Sequence, residues 1–266
     1  MAAEDDAVRV ERRGRVLLAT INRPDARNAV NRAVWEGLGG ALELAESDDQ
    51  IWAFVVTGAG DKAFCAGADL KAVSRGEPIQ PADPRALAWG FAGYVRHHIS
   101  KPTIAAVNGF ALGGGTEISL ASDLVVAADT AVFGLPEVKR GIFAGAGGVF
   151  RLPAHIPRKV AMEMILTGEP VSARRALELG LVNRVVPQVQ VVEAAVGLAE
   201  AICANAPLSV QASKRVACGI LDGRVPAEDE SWAQSAAAGK VLMSSADSKE
   251  GPLAFAEKRP PRWQGR

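Results

Sequence analysis

Cysteine, histidine and tyrosine are scarce in this chain, at three, three and one in 266 residues. Cys65, Cys203 and Cys218 are odd in number, widely separated and without a Cys-x-x-Cys pair, which excludes a disulfide framework and a zinc cluster and points to a reducing compartment. His97, His98 and His155 lack ligand spacing and read as surface or packing residues, the first two on a helix; no metal site is expected. Net charge is absent too: thirty basic and thirty acidic side chains cancel, leaving no broad basic surface for nucleic acid or an anionic membrane. No apolar run approaches membrane-spanning length. The opening MAAEDDAVRVERRG has neither the apolar segment of a secretory signal nor the acid-poor character of a transit peptide. The expectation is a cytoplasmic protein, without membrane insertion, whose partners are small or weakly charged.

Several catalytic signatures are missing. No Gly-Lys-Ser/Thr follows a glycine turn, so there is no phosphate-cradling P-loop, and Gly-x-Ser-x-Gly is absent, which removes the commonest serine-hydrolase elbow. GAGDKA (58–63) matches a loose dinucleotide fingerprint, with Glu77 downstream. That fingerprint needs a helix to open inside the turn, whereas another glycine bend follows and Glu77 falls in a proline-rich stretch. A strand-ending turn is the better reading.

What is present is a 48% hydrophobic chain with repeated βα alternation. RVLLATI (15–21), IWAFVVTG (51–58), PTIAAVNG (102–109) and DLVVAAD (123–129) read as buried strands. NRAVWEGLGGALELAESDD (31–49) reads as a helix offering Ala33, Leu38, Leu42 and Leu44 for packing, and TEISLAS (116–122) as another. An α/β core follows. SRGEPIQPADPR (74–85) reads as a loop near a binding site, with Trp89 and Phe91 just beyond it shaping a pocket. From Pro187 the chain turns alanine-rich and helical. We place a core domain at 1–195 and a helical C-terminal region at 196–266.

Two bends, FCAGAD (64–69) and LGGGTE (112–117), each follow an apolar strand. If both turn backbone amides into one cleft, they form a two-donor site for a carbonyl oxygen that gains charge during reaction. The second also opens a helix, whose N-terminal amides add to that attraction. The same glycines could serve only tight turns and close packing. Glu117, in the first turn of that helix, is placed for proton transfer or for the helix dipole. A second acid, Glu137, follows in FGLPEVKRG and could instead pair with Lys139 or Arg140. Cys65 reads as a small apolar filler, since no histidine lies near it in sequence to activate it.

AFCAGADL, AAVNGFALGGGTE, FGLPEVKRGIFAGAGG and AFAEKR together resemble the crotonase superfamily, most closely enoyl-CoA hydratases, from about NRPDARNA (22–29) to the C-terminus. The resemblance implies a spiral of ββα turns with a helical C-terminal trimerisation region, assembled as a homotrimer or a dimer of trimers. It makes the amides of Ala68 and Gly114 the oxyanion hole and Glu117 and Glu137 the catalytic carboxylates. Gly145 matches the position whose amide holds the reacting water, although Ala144 stands where many hydratases have proline. Asp25, Ala26 and Arg27, with Ala66, Ala68, Asp69 and Leu70, match the walls around coenzyme A. Phe255 and Lys258 resemble C-terminal residues that reach the coenzyme.

The implied reaction is syn addition of water to a trans-2-enoyl-CoA, giving a 3-hydroxyacyl-CoA, in fatty-acid or related acyl-CoA (including sterol side-chain) degradation. No cofactor is called for, coenzyme A being part of the substrate. Related activities on the same scaffold are double-bond isomerisation and carnitinyl-CoA dehydration. Family isomerases often manage with one acid, so two acids favour the hydratase or dehydratase. A non-enzymatic RNA-associated or acyl-CoA-binding relative is the rival of another class, and zero net charge argues against RNA.

Overall fold

The computed structural model describes residues 7–266, so the first six residues of the acidic opening lie outside the described residues. Its strands are β1 (Val8–Arg13), β2 (Val16–Ile21), β3 (Ala53–Gly58), β4 (Ala63–Cys65), β5 (Thr103–Val107), β6 (Phe110–Leu112), β7 (Leu124–Ala128), β8 (Val132–Gly134), β9 (Val171–Ser172) and β10 (Arg184–Val186). Its helices are α1 (Arg32–Ser47), α2 (Leu70–Ser74), α3 (Pro84–Ala88), α4 (Gly114–Ala121), α5 (Gly148–His155), α6 (Arg158–Thr167), α7 (Ala173–Glu178), α8 (Val191–Cys203), α9 (Pro207–Cys218), α10 (Asp229–Met243) and α11 (Ala246–Ala256).

The strands form two sheets, ordered β1-β2-β3-β5-β7-β10 and β4-β6-β8-β9. Each turn of chain lays one strand in the large sheet, one in the small sheet, then a helix or 3₁₀ turn: β3-β4-α2, β5-β6-α4, β7-β8 and the 3₁₀ turn Pro136–Arg140. Successive turns pair in parallel in both sheets. This is the expected ββα spiral, and it brings the three segments that follow β4, β6 and β8 side by side.

The inner strands of the large sheet, β2, β3, β5 and β7, are buried on both faces, which is why they read as continuous apolar runs. Leu17, Ile21, Phe54, Val56 and Val107 face the main core, while Val16, Leu18, Val55, Ile104 and Val126 alternate to the other face against Val191, Ala195 and Ala199 of α8. α8 thus runs across the expected boundary at residue 195 and packs on the sheet.

In α1, Asn31 caps the first turn by accepting from Val34 N at 3.0 Å. Leu38 and Leu42 are fully buried, Ala33 is half-buried, and Leu44 is 48% exposed, off the helix face that carries Val34, Leu38, Ala41, Leu42 and Ala45. GAGDKA is a bend between β3 and β4 and opens no helix.

Two expectations around residues 84–98 are corrected. His97 and His98 lie in irregular chain just past a turn, not on a helix; Gly90 and Ala92, at φ 72° and 61°, break any helical path before them. Trp89 stacks on His97 at 4.7 Å and lies over Gly39, away from the cleft, so of the two aromatics only Phe91 reaches it. No single helix among the described residues is long and apolar enough to cross a membrane.

Candidate active site

Two features bring the glycine bends together: the registers Cys65↔Ala111 and Leu112↔Gly134, and the packing of α4 on the first bend. The first bend is pinned by Val30, whose amide donates to Gly67 O (2.8 Å) and whose carbonyl accepts from Asp69 N (3.0 Å). In the second, each glycine has a neighbour where a side chain would begin. A Cβ on Gly113 would lie 2.7 Å from Glu137 Oε1, on Gly114 2.2 Å from the Phe91 ring, and on Gly115 2.1 Å from Cys65 O. Gly113 also needs its freedom of backbone, at φ 57° and ψ −121°. Close approach, by an acid, a ring and the other bend, is therefore what the three glycines permit.

Ala68 and Gly114 line one cavity of about 450 Å³, and neither amide donates to a protein acceptor among the described residues. For Gly114 this follows from its place as the first residue of α4. The two bends touch: a Cβ on Gly67 would sit 3.2 Å from Gly114 N. Glu117, Glu137, Gly145 and Phe255 line the same cavity.

Glu117 is buried, and Gly148 N donates to its Oε1 at 2.9 Å. Burial first, then the neighbouring Glu137 charge, push its carboxyl up to about 8, against the pull of the Gly148 and Ala146 amides and of Arg151. Burial also pushes Glu137 up to about 7. Its Oε2 is buried with no hydrogen-bond partner among the described residues, while Lys139 pairs with Glu169 instead. Two acids raised together titrate as a pair, so near neutrality the pair holds one proton to give and one site to receive.

The same shifts bear on stability. Both folded-state values lie above the unfolded carboxyl value of 4.5, so the contribution of the protonated pair is whole below that value, falls as pH rises above it, and is fully lost once pH has risen through 7 to 8. Glu117→Gln is therefore expected to raise Tm relative to the wild type by about 5 °C at pH 9 and by much less at pH 5. Thermal scans at the two pH values check this; a gap that does not widen with pH removes the buried charge as its cause.

Gly145 lines the cavity, but its amide donates to Phe143 O (2.8 Å); the amides that act on an acid belong to Ala146 and Gly148. Gly148 opens α5 and was marked in the sequence only as one of a glycine pair. Cys65 is buried, its thiol pushed up to about 12 by burial, and its Sγ accepts from Gly67 N at 3.4 Å, in keeping with a filler.

A second cavity of about 550 Å³ shares Ala66, Ala68, Leu70 and Phe255 with the first and adds Asp25, Ala26, Arg27, Asp69 and the cations Arg23, Lys71 and Arg75. Arg23 Nη2 donates to Asp69 Oδ2 at 2.9 Å, tying the two stretches of its wall together. The Arg140 guanidinium lies over the Phe255 ring at 4.3 Å, where the cavities meet. Lys258 is exposed beyond α11 and lines neither cavity. The arrangement can hold a long ligand with an anionic end in the basic cavity and a carbonyl beside Ala68 and Gly114.

Comparison with known proteins gives a consistent picture. Residues 11–266 match the family described as Enoyl-CoA hydratase/isomerase. The chain is 41% identical to a carnitinyl-CoA dehydratase of Escherichia coli O157:H7 over 98% of this chain and 99% of that protein. Among solved structures, it is 63% identical to a carnitinyl-CoA hydratase from Mycobacterium avium, with a TM-score of 0.95 over 98% of this chain and 99% of that one. It is 45% identical to an enoyl-CoA hydratase from Mycobacterium tuberculosis H37Rv, with a TM-score of 0.75 over the same shares.

Proposed function

The chain belongs to the enoyl-CoA hydratase/isomerase family, the crotonases, and we propose that within it the chain catalyses reversible addition of water to a trans-2-enoyl-CoA, giving a 3-hydroxyacyl-CoA. The observation that carries this reading is the coupled acid pair, Glu117 and Glu137, sharing a cavity with the unengaged amides of Ala68 and Gly114.

The thioester carbonyl accepts from the two amides, which drains electron density from C3. Attack by water there creates an enolate-like oxygen, held more strongly than the ground-state carbonyl because the donors are already oriented. The acid pair takes a proton from the water and gives one to C2; in dehydration the transfers reverse. Nothing in these steps calls for a metal or redox cofactor. The basic cavity lined by Arg23, Arg27, Lys71 and Arg75 suits the phosphates of coenzyme A. Trimeric assembly and a cytoplasmic location remain part of the proposal; Leu208 and Val216 on α9, 77% and 79% exposed, are apolar surface that such an assembly would cover.

A second reading concerns the acyl group. The names of the Escherichia coli and Mycobacterium avium relatives favour a carnitinyl-CoA dehydration, which uses the same steps on a substrate bearing a quaternary ammonium. Mixing the protein with crotonyl-CoA, and separately with crotonobetainyl-CoA, and following loss of the conjugated-thioester absorbance tests both. Hydration of crotonyl-CoA that falls away below about pH 7 and above about pH 8 is expected, because the pair must hold one proton. Turnover of crotonobetainyl-CoA alone selects the second reading, and turnover of neither sinks both.

A further inference from the structure

We propose that Ser235 is a positioning residue for Glu117: from α10, its hydroxyl holds the turn 145–148, whose last amide, that of Gly148, donates to that carboxylate. The proposal rests on the acid-pair reading above. α10 is otherwise a surface helix. Among its residues Ser235 alone is buried, at 7% exposed. A lone buried position on such a helix ordinarily goes to an apolar anchor, and a buried hydroxyl needs a partner. Here the partner is Gly145 O, at 3.1 Å.

Gly145 C=O and Ala146 N–H belong to one planar peptide unit, so whatever fixes the carbonyl also fixes the amide. Ala146 lines the cavity with Glu117, and two residues further on the Gly148 amide donates to Glu117 Oε1 at 2.9 Å; both amides pull its carboxyl down. The path is therefore Ser235 Oγ–H to Gly145 O, along the turn to Gly148 N–H, and on to the acid. No atom of Ser235 need touch substrate.

α10 is held at the correct height by contacts on either side of this bond. Glu228, immediately before it, accepts from Arg151 of α5 at 2.8 and 2.7 Å. One turn beyond Ser235, a Cβ on Gly239 would lie 3.4 Å from the Phe143 ring, so the helix backbone comes close to the start of the same turn. The C-terminal helical region thereby acts on the reaction through a hydrogen bond to the catalytic turn.

Ser235→Ala and Ser235→Thr in the full chain test this. Crotonyl-CoA hydration gives kcat and KM, and infrared titration of protonated carboxyls in the free protein follows the acid pair, Glu117→Gln identifying its band. In Ser235→Ala, kcat is expected to fall about fivefold with KM changed by less than about twofold. The titration should move up by about half a pH unit, because a donor to the ionised carboxylate is weakened. Threonine, keeping the hydroxyl, should restore both. An alanine variant with wild-type turnover and titration, a loss carried by KM alone, or a threonine variant as impaired as alanine each overturns the proposal. If the wild type hydrates no enoyl-CoA, the acid-pair reading falls, and the titration still decides whether Ser235 acts on Glu117.

Discussion

Glutamine in place of Glu117 or of Glu137 is expected to lower crotonyl-CoA hydration by about 10³-fold while affinity for the saturated butyryl-CoA stays within about threefold. Glutamine nearly keeps the volume and keeps an acceptor for Gly148 N, which donates to Glu117 Oε1 at 2.9 Å, so the cavity should persist. What is lost is the ability to ionise. In the proposed mechanism the two acids share one proton; with one replaced by an amide, either the acceptor for the water proton or the donor to C2 is missing. Since both acids serve one event, the double variant should be little worse than either single one. Turnover by absorbance and affinity by calorimetry decide the matter. A single variant that keeps more than about a tenth of wild-type turnover takes that residue out of the chemistry.

Gly67→Ala is expected to cost on the order of 10² in kcat, the scale of losing one oxyanion donor. Gly67 has φ 87°, and its missing side chain would start 3.2 Å from Gly114 N and from Leu112 O, both backbone atoms that cannot swing aside. Relief requires the two bends to separate, and that moves the Ala68 amide away from the Gly114 amide. Strain at positive φ alone is worth about 1 kcal/mol and is not specific to catalysis. Gly14→Ala isolates that part: Gly14 has φ 60°, is exposed, and has nothing within 4 Å of where a Cβ would go. A small loss of Tm in Gly14→Ala and a larger one in Gly67→Ala, with turnover lost only in Gly67→Ala, are the expected result. Equal turnover in the two would mean that the spacing of the bends does not matter.

Much of the scaffold could be read from the chain because its rules are local. The inner strands of the large sheet are covered on both faces, so RVLLATI, IWAFVVTG and DLVVAAD announce themselves as unbroken apolar runs, and Asn31 announces the start of α1. The small sheet could not be read this way. β4, β6 and β8 are three residues each, too short for a periodic signal, and their identity as strands comes from pairing with one another. The irregular segment holding His97 and His98 reads as helix in the sequence because the positive φ of Ala92 leaves no mark in an alanine.

For the site, residue types and order were written in the motifs: two acids, two bends and a glycine-rich turn, each recognisable where it stands. Residue order likewise excluded a P-loop, and three scattered cysteines gave no disulfide framework to expect. Only the tertiary structure decided that burial raises both acids and that Glu137 raises Glu117 further, that the Gly145 amide turns to Phe143 while that of Gly148 donates to Glu117, and that Ser235 reaches the turn at Gly145 from ninety positions away. Proton affinity and amide direction depend on burial and on groups distant in the chain, so they come into being only when β4, β6, β8 and the C-terminal helices pack around one cavity.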